Sequence, residues 1–214
     1  MARGKLRLLE PFAVFLAIMA YIWKFHFTHP WLWVPILQLV VLSHIIRREG
    51  APSLGFRLGH FRTCVRRFGP ALFALVIVMV VTGLLFDTIR PIRFERAVWS
   101  LAMYLPWGLF QQYLLNAYFL KRFDTLLPSR AASVTTAALF SAVHTPNWFL
   151  MLVTPVAGYA SIQIYRRYGN LYFLGAAHAV IGFLLFMVFP DSVSHHLNVG
   201  PGWRSMAASL LPAG

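Results

Sequence analysis

A single cysteine, Cys64, excludes an internal disulfide and a thiolate metal cluster. Acid is nearly as scarce: Asp and Glu number 6 in 214 residues, and all charged residues amount to 12%. A soluble domain of this length exposes far more charge, so the shortage removes that class. The chain has no internal repeat and no low-complexity tract. Its N-terminal stretch MARGKLRLLEPFAVFLAIMAYIW has a basic head and an apolar run, but no clear small-residue cleavage site follows. It therefore reads as a retained first span rather than a removed signal peptide.

What the chain does have is hydrocarbon. Hydrophobic residues make up 59%, in blocks near the roughly 20 residues that cross a bilayer. The expected fold is all-α, a polytopic transmembrane helix bundle of about seven spans. These fall at about 11–27, 31–46, 70–87, 97–120, 131–145, 147–165 and 171–189. The second and fifth are short. Residues 1–49 read as an N-terminal helical hairpin, 50–189 as a membrane core, and 190–214 as a tail punctuated by Gly and Pro. In HTPNW, Pro146 biases Thr145 out of the helical region and is expected to start the next helix. The segment RREGAPSLGFRLGHFRTCVRRFG interleaves arginines with Leu54, Phe56, Leu58, Phe61 and Val65, as a stretch lying in the interface would.

The net charge of +13 does not point to nucleic acid, because the bases fall in short clusters between apolar blocks. Topology and anionic lipid headgroups account for them. With the N-terminus cytoplasmic, fourteen bases lie on the inner side: Arg3, Lys5, Arg7, Arg47, Arg48, Arg57, Arg62, Arg66, Arg67, Lys121, Arg122, Arg130, Arg166 and Arg167. Four lie outside: Arg90, Arg93, Arg96 and Arg204. The expected setting is a multi-pass protein of the plasma (inner) membrane, with an outer C-terminus.

Three sets of polar groups remain at membrane depth: Gln111, Gln112 and Asn116 in the fourth span, His144 in the fifth, and His178 in the seventh. From the helical rise, Gln111 lies roughly 15 Å from Lys121, His144 roughly 21 Å from Arg130, and His178 roughly 12 Å from Asn170. These depths overlap, which is compatible with one buried site. Gln112 and Asn116, at i and i+4, are expected on one face, and Pro106 is expected to loosen the helix before them. The plain structural reading is that Gln, Asn and a lone His act as interhelical glue. Polar groups at this depth more often mark function when several coincide. His26, His29, His44, His60, His195 and His196 read as interfacial or solvated, and the tryptophans flanking the spans as an aromatic belt.

The constellation resembles the CPBP family, the CAAX-protease and bacteriocin-processing membrane proteins. That family carries E-E-x-x-x-R, then F-x-x-x-H, then H-x-x-x-N or H-x-x-x-D, each on its own helix. Here Phe140 and His144 complete the second motif, and His178 opens the third after GYASIQIYRRYGNLYFLGAAH. LGFR before the third span is also similar to family members, and the resemblance covers roughly residues 50–189. Gln111 and Gln112 occupy the glutamate positions, Asn116 the arginine position, and Gly182 the final Asn/Asp position.

The resemblance implies an intramembrane endopeptidase acting on a membrane-associated peptide or protein. In that family the first glutamate and first histidine are thought to activate water, directly or through a metal. An amide has no usable pKa, so neither glutamine can be a general base. A divalent metal such as zinc would find only His144 and His178, short of three protein ligands. His144 could still act as base, with a glutamine positioning water and His178 stabilising the oxyanion. Two alternatives stay open: an inactive relative that binds a membrane peptide or partner, and a small-solute or proton pathway.

Overall fold

The structure, a computed structural model, describes residues 2–203, with side chains from Leu9 onward; Arg204 and the rest of the tail, and the side chains of Arg3, Lys5 and Arg7, lie outside the described residues. Among the described residues there is no strand, and every one of the seven apolar segments is helical. The all-α expectation holds.

Helix α1 covers Ala2–Ala20 and runs into a π-helical turn, Tyr21–Phe25. Helix α2 is Trp33–Ile46, α3 Phe61–Leu85 and α4 Phe94–Gln112. A π-helical segment, Tyr113–Leu120, continues α4 into the short α5, Lys121–Asp124. Then come α6, Ser129–Ala142, α7, Trp148–Tyr168, α8, Leu171–Val188, and α9, Asp191–Ser194. By length and composition, three described helices can cross a membrane: α3, α7 and α8. A further apolar helix of shorter length spans Pro30–Ile46.

Several boundaries differ from expectation for local reasons. Helix α3 begins at Phe61, nine residues before the expected start at Pro70, and takes in Arg62, Arg66 and Arg67. Pro70 supplies no N–H, so the carbonyl of Arg66 loses its ladder partner, but Arg66 is exposed and its surroundings can satisfy it. Helix α4 runs unbroken through Pro106, and the irregularity falls at Tyr113 instead. Helix α7 starts at Trp148 rather than at Pro146, because Asn147 caps it: the Leu150 N–H donates to Asn147 Oδ1 at 3.2 Å. The Thr145–Pro146 peptide is cis within the preceding turn. The tail after Pro190 also holds more structure than its composition suggests, with α9 followed by a 3₁₀ turn, His195–Leu197.

By contacts the chain falls into two compact units, each discontinuous in sequence. One draws on the chain up to Gly50, on Leu115–Ile162 and on the stretch from Asn198. In it α1 packs on α2 and α5, and α5 on α6, around buried Val40, Leu115, Tyr118, Leu120 and Phe123. The other comprises Ala51–Leu114 and Gln163–Leu197. Its centre is α8, packed on α4 and α3. Gly108 of α4 makes that approach possible: a Cβ there would stand 2.7 Å from the Gly175 carbonyl oxygen and 3.0 Å from the Ala179 nitrogen. Gly175 returns the contact against Leu109, at 2.8 Å. Small residues facing each other are the usual way for membrane helices to pack closely.

Candidate active site

The second unit holds two of the expected site residues in direct contact. Gln112, the last residue of α4, is buried, and its side-chain Nε2 lies 3.2 Å from Nδ1 of His178 on α8. The close α4–α8 packing at Gly108 and Gly175 brings the two side chains within reach. With the amide N–H as donor, Nδ1 of His178 is the acceptor and the neutral ring's proton is assigned to Nε2. A carboxylate at 112 would do the reverse, accepting from Nδ1–H and leaving Nε2 bare. Gln111, beside it, is half-buried. One turn beyond His178, Gly182 carries the ring of Tyr104, whose Cε1 lies 3.2 Å from the place of a Cβ. Tyr104 thus occupies the space that an Asn or Asp side chain would need.

In the first unit, His144 follows the end of α6, and its Nδ1 lies 2.6 Å from the carbonyl oxygen of Phe140. A carbonyl can only accept, so Nδ1 carries the proton and Nε2 of the neutral ring is the basic nitrogen. The Phe140 ring meets the His144 ring edge-on, with centroids 5.1 Å apart. Gly158 of α7 admits that phenyl ring, because a Cβ there would come within 3.0 Å of Phe140 Cδ1. The spacing F-x-x-x-H therefore has a local meaning: one helical turn puts the Phe140 carbonyl under the imidazole and its ring against it.

Asn116 lies in the π-helical segment and is fully buried, and its Nδ2 donates to Ser161 Oγ at 3.5 Å. Ser161 in turn donates to the Gly158 carbonyl at 3.0 Å. A π-helical stretch is rare and often accompanies a functional site.

Two features were not visible in the sequence. The first is a buried charge network in the first unit. Arg122, read as an inner-loop base, is 1% exposed, its Nε 3.2 Å from Glu10 and its Nη2 2.8 Å from Glu49. Ser43 and His44 sit against the same guanidinium at 3.0 Å each, Arg47 pairs with Glu10 at 2.6 Å, and Lys121 with Glu49 at 3.3 Å. His44, expected to be interfacial, is buried, with Nδ1 2.7 Å from Glu49, and His195 is buried as well. Burial works to raise the Glu49 carboxyl, but hydrogen bonds from Arg122 and His44 and the charges of Arg122 and Lys121 overcome it, and the pKa falls to about 2.

The second is the docking of two loops in the second unit. Arg57, in LGFR, donates to the carbonyls of Gly169 and Tyr168, both at 3.2 Å, which caps the end of α7. Asn170 donates to the Arg57 carbonyl at 2.7 Å and accepts the Phe173 N–H at 2.8 Å, so it caps α8. Gly169, at φ +52°, makes the turn between the two helices.

The donor set does not suit a catalytic metal: among the described residues no three His, Cys, Asp or Glu side chains stand together as a ligand group. No curated protein and no solved structure matches the chain. One family model does match, that of the type II CAAX prenyl endopeptidase Rce1-like proteins, over residues 93–184. That stretch includes Gln111, Gln112, Asn116, Phe140, His144, His178 and Gly182. Three helices apolar enough to span, together with the match, support an integral membrane protein. The three short motifs thus lie within the stretch that a family model matches, and residues 93–184 are similar to the Rce1-like type II CAAX prenyl endopeptidases.

Proposed function

We propose that the chain is an intramembrane endopeptidase that hydrolyses a membrane-associated peptide or protein with a pair of histidines in place of a carboxylate and metal. The observation that supports this reading most is the Gln112–His178 hydrogen bond, which, with the amide donating, puts the His178 proton on Nε2. His144 complements it: with Nδ1 donating to Phe140, its Nε2 is free to take a proton.

In this reading water attacks the scissile carbonyl as His144 Nε2 removes its proton. The new C–O bond pushes charge onto the carbonyl oxygen, which the His178 Nε2–H stabilises. The C–N bond then breaks, and the imidazolium of His144 returns its proton to the leaving amine. Gln111 positions the water and Gln112 fixes the His178 tautomer. Neutral amides where relatives carry charge also avoid an unpaired ion at membrane depth. The chain lies in the plasma (inner) membrane, with its N-terminus cytoplasmic and its basic loops against anionic headgroups.

The test is cleavage of a library of lipid-anchored peptides by the protein in vesicles, read by mass spectrometry. The parent is expected to cut, and His144→Ala and His178→Ala to cut slower by about 10²-fold or more. A parent that binds peptide without cutting, while Gln111→Glu alone cuts, overturns the reading in favour of an inactive peptide-binding relative.

A further inference from the structure

Helix α3 breaks a local rule. The N-terminal end of a helix carries partial positive charge, and acids are favoured there. The first turns of α3 hold no acid and carry Arg62, Arg66 and Arg67, and no side chain caps its first residue. All three arginines are exposed, and no ion pair to them is found among the described residues. The same end of the unit gathers more positive charge. Tyr168, at the end of α7, accepts from Arg57 and His60, and its ring meets Phe68 of α3 at 5.7 Å. That contact sets the exposed Arg166 and Arg167 at this end too.

The acids of this unit lie elsewhere. Asp87 follows the far end of α3, Glu95 is in the first turn of α4, and Asp191 pairs with Arg90. The Arg90 N–H donates to the Met187 carbonyl at 2.9 Å, which ties the segment after α3 to the end of α8. A helix of 25 residues therefore separates the arginines from the acids, roughly 37 Å along its axis.

From Phe68 to Leu85, α3 has no charged residue, and those eighteen positions rise roughly 27 Å, close to the hydrocarbon thickness of a bilayer. Phe73, Val78 and Leu84 point outward along it, at 66%, 60% and 67% exposure, as lipid-facing residues do. Arg62, Arg66 and Arg67 thus stand at headgroup depth on a span that presents its apolar side to the acyl chains. Leu58, just before α3, is 73% exposed and adds an apolar anchor at that level.

We infer that the N-terminal end of α3 is a binding site for the phosphate of an anionic phospholipid, held by Arg62, Arg66 and Arg67. Guanidinium and phosphate match in charge and in hydrogen-bond geometry. The helix dipole, which disfavours the three arginines alone, favours the anion they would bind. The site rests on the membrane setting of the chain and is independent of whether it cuts peptides.

Short-chain phosphatidylglycerol is the probe, titrated into the full-length protein in neutral detergent with binding read by a rise in thermal stability. Phosphatidylcholine and inorganic phosphate are the parallel arms. Phosphatidylglycerol is expected to bind, and Arg62→Gln/Arg66→Gln/Arg67→Gln to weaken it by about tenfold or more. Arg62→Lys/Arg66→Lys/Arg67→Lys keeps the charge and is expected to retain most of the binding, so a loss peculiar to the glutamine variant is not a folding defect. Arg93→Gln/Arg96→Gln, near the start of α4, leaves it unchanged. Parent-like affinity in the glutamine variant, equal binding of phosphatidylcholine, or displacement of the lipid by phosphate at matching concentration would each overturn the inference.

Discussion

At the scale of single residues, the sequence separates groups that declare their chemistry from groups that acquire it in the fold. His144 was legible because Phe140 stands one turn before it, and the motif acts through that turn's own carbonyl. Arg122 was not legible, since a base beside Lys121 at the end of an apolar run reads as a topology marker. Its burial depends on Glu10 and Glu49, 112 and 73 positions away. Removing it takes the shared partner from two part-buried carboxylates and leaves them only Arg47 and Lys121, so Arg122→Met should lower stability by about 1–3 kcal/mol in denaturant titrations. Adding Glu10→Gln and Glu49→Gln to that variant should restore part of the loss, because the two carboxylates no longer need the guanidinium while Arg47 and Lys121, each about a quarter exposed, can turn to solvent.

Glu49 gives the network a pH signature. Its folded pKa of about 2 lies below the ordinary 4.5, so its contribution is fully present above pH 4.5 and lost as pH falls to about 2. The stability gap between the parent and Glu49→Gln should be constant from neutral pH down to about 4.5 and shrink below it. At His178 the prediction is spectroscopic. Nitrogen NMR of histidine-labelled protein should show a bare Nδ1 and a protonated Nε2, and Gln112→Glu should exchange the two.

At the scale of elements, the apolar blocks announced every long helix among the described residues, because spans of that length leave the backbone no other way to satisfy itself. Their ends were less legible. The third span was expected from 70 and Pro146 was read as a start signal, but α3 begins earlier and α7 later, where Asn147 provides the cap. The π segment after Gln112 has no signature in YLLNAYFL, since a change of helical register depends on packing partners rather than on local preference. The α4–α8 contact was legible only as glycines within apolar runs. Gly108→Leu should weaken that packing and lower stability by about 1–3 kcal/mol or more, because a side chain there meets backbone that cannot yield. Asn170→Ala should cost about 1 kcal/mol as the α8 cap is lost.

At the scale of the whole molecule, composition fixed the membrane class, and the order of three motifs pointed to the resemblance that the family match over residues 93–184 bears out. What neither could convey is how the chain distributes itself: each compact unit is assembled from separated stretches, so 1–49 shares a unit with Leu115–Ile162. The pair of glutamines gains its meaning at this scale. If the amide at 112 is a working part, a carboxylate there should harm the protein rather than repair it. The decisive measurement is peptide cleavage by the parent and by Gln112→Glu in the same vesicles. The account predicts that the parent cuts and that Gln112→Glu is slower by about tenfold or more, since His178 would lose its Nε2 proton. Faster cleavage by Gln112→Glu than by the parent would contradict it.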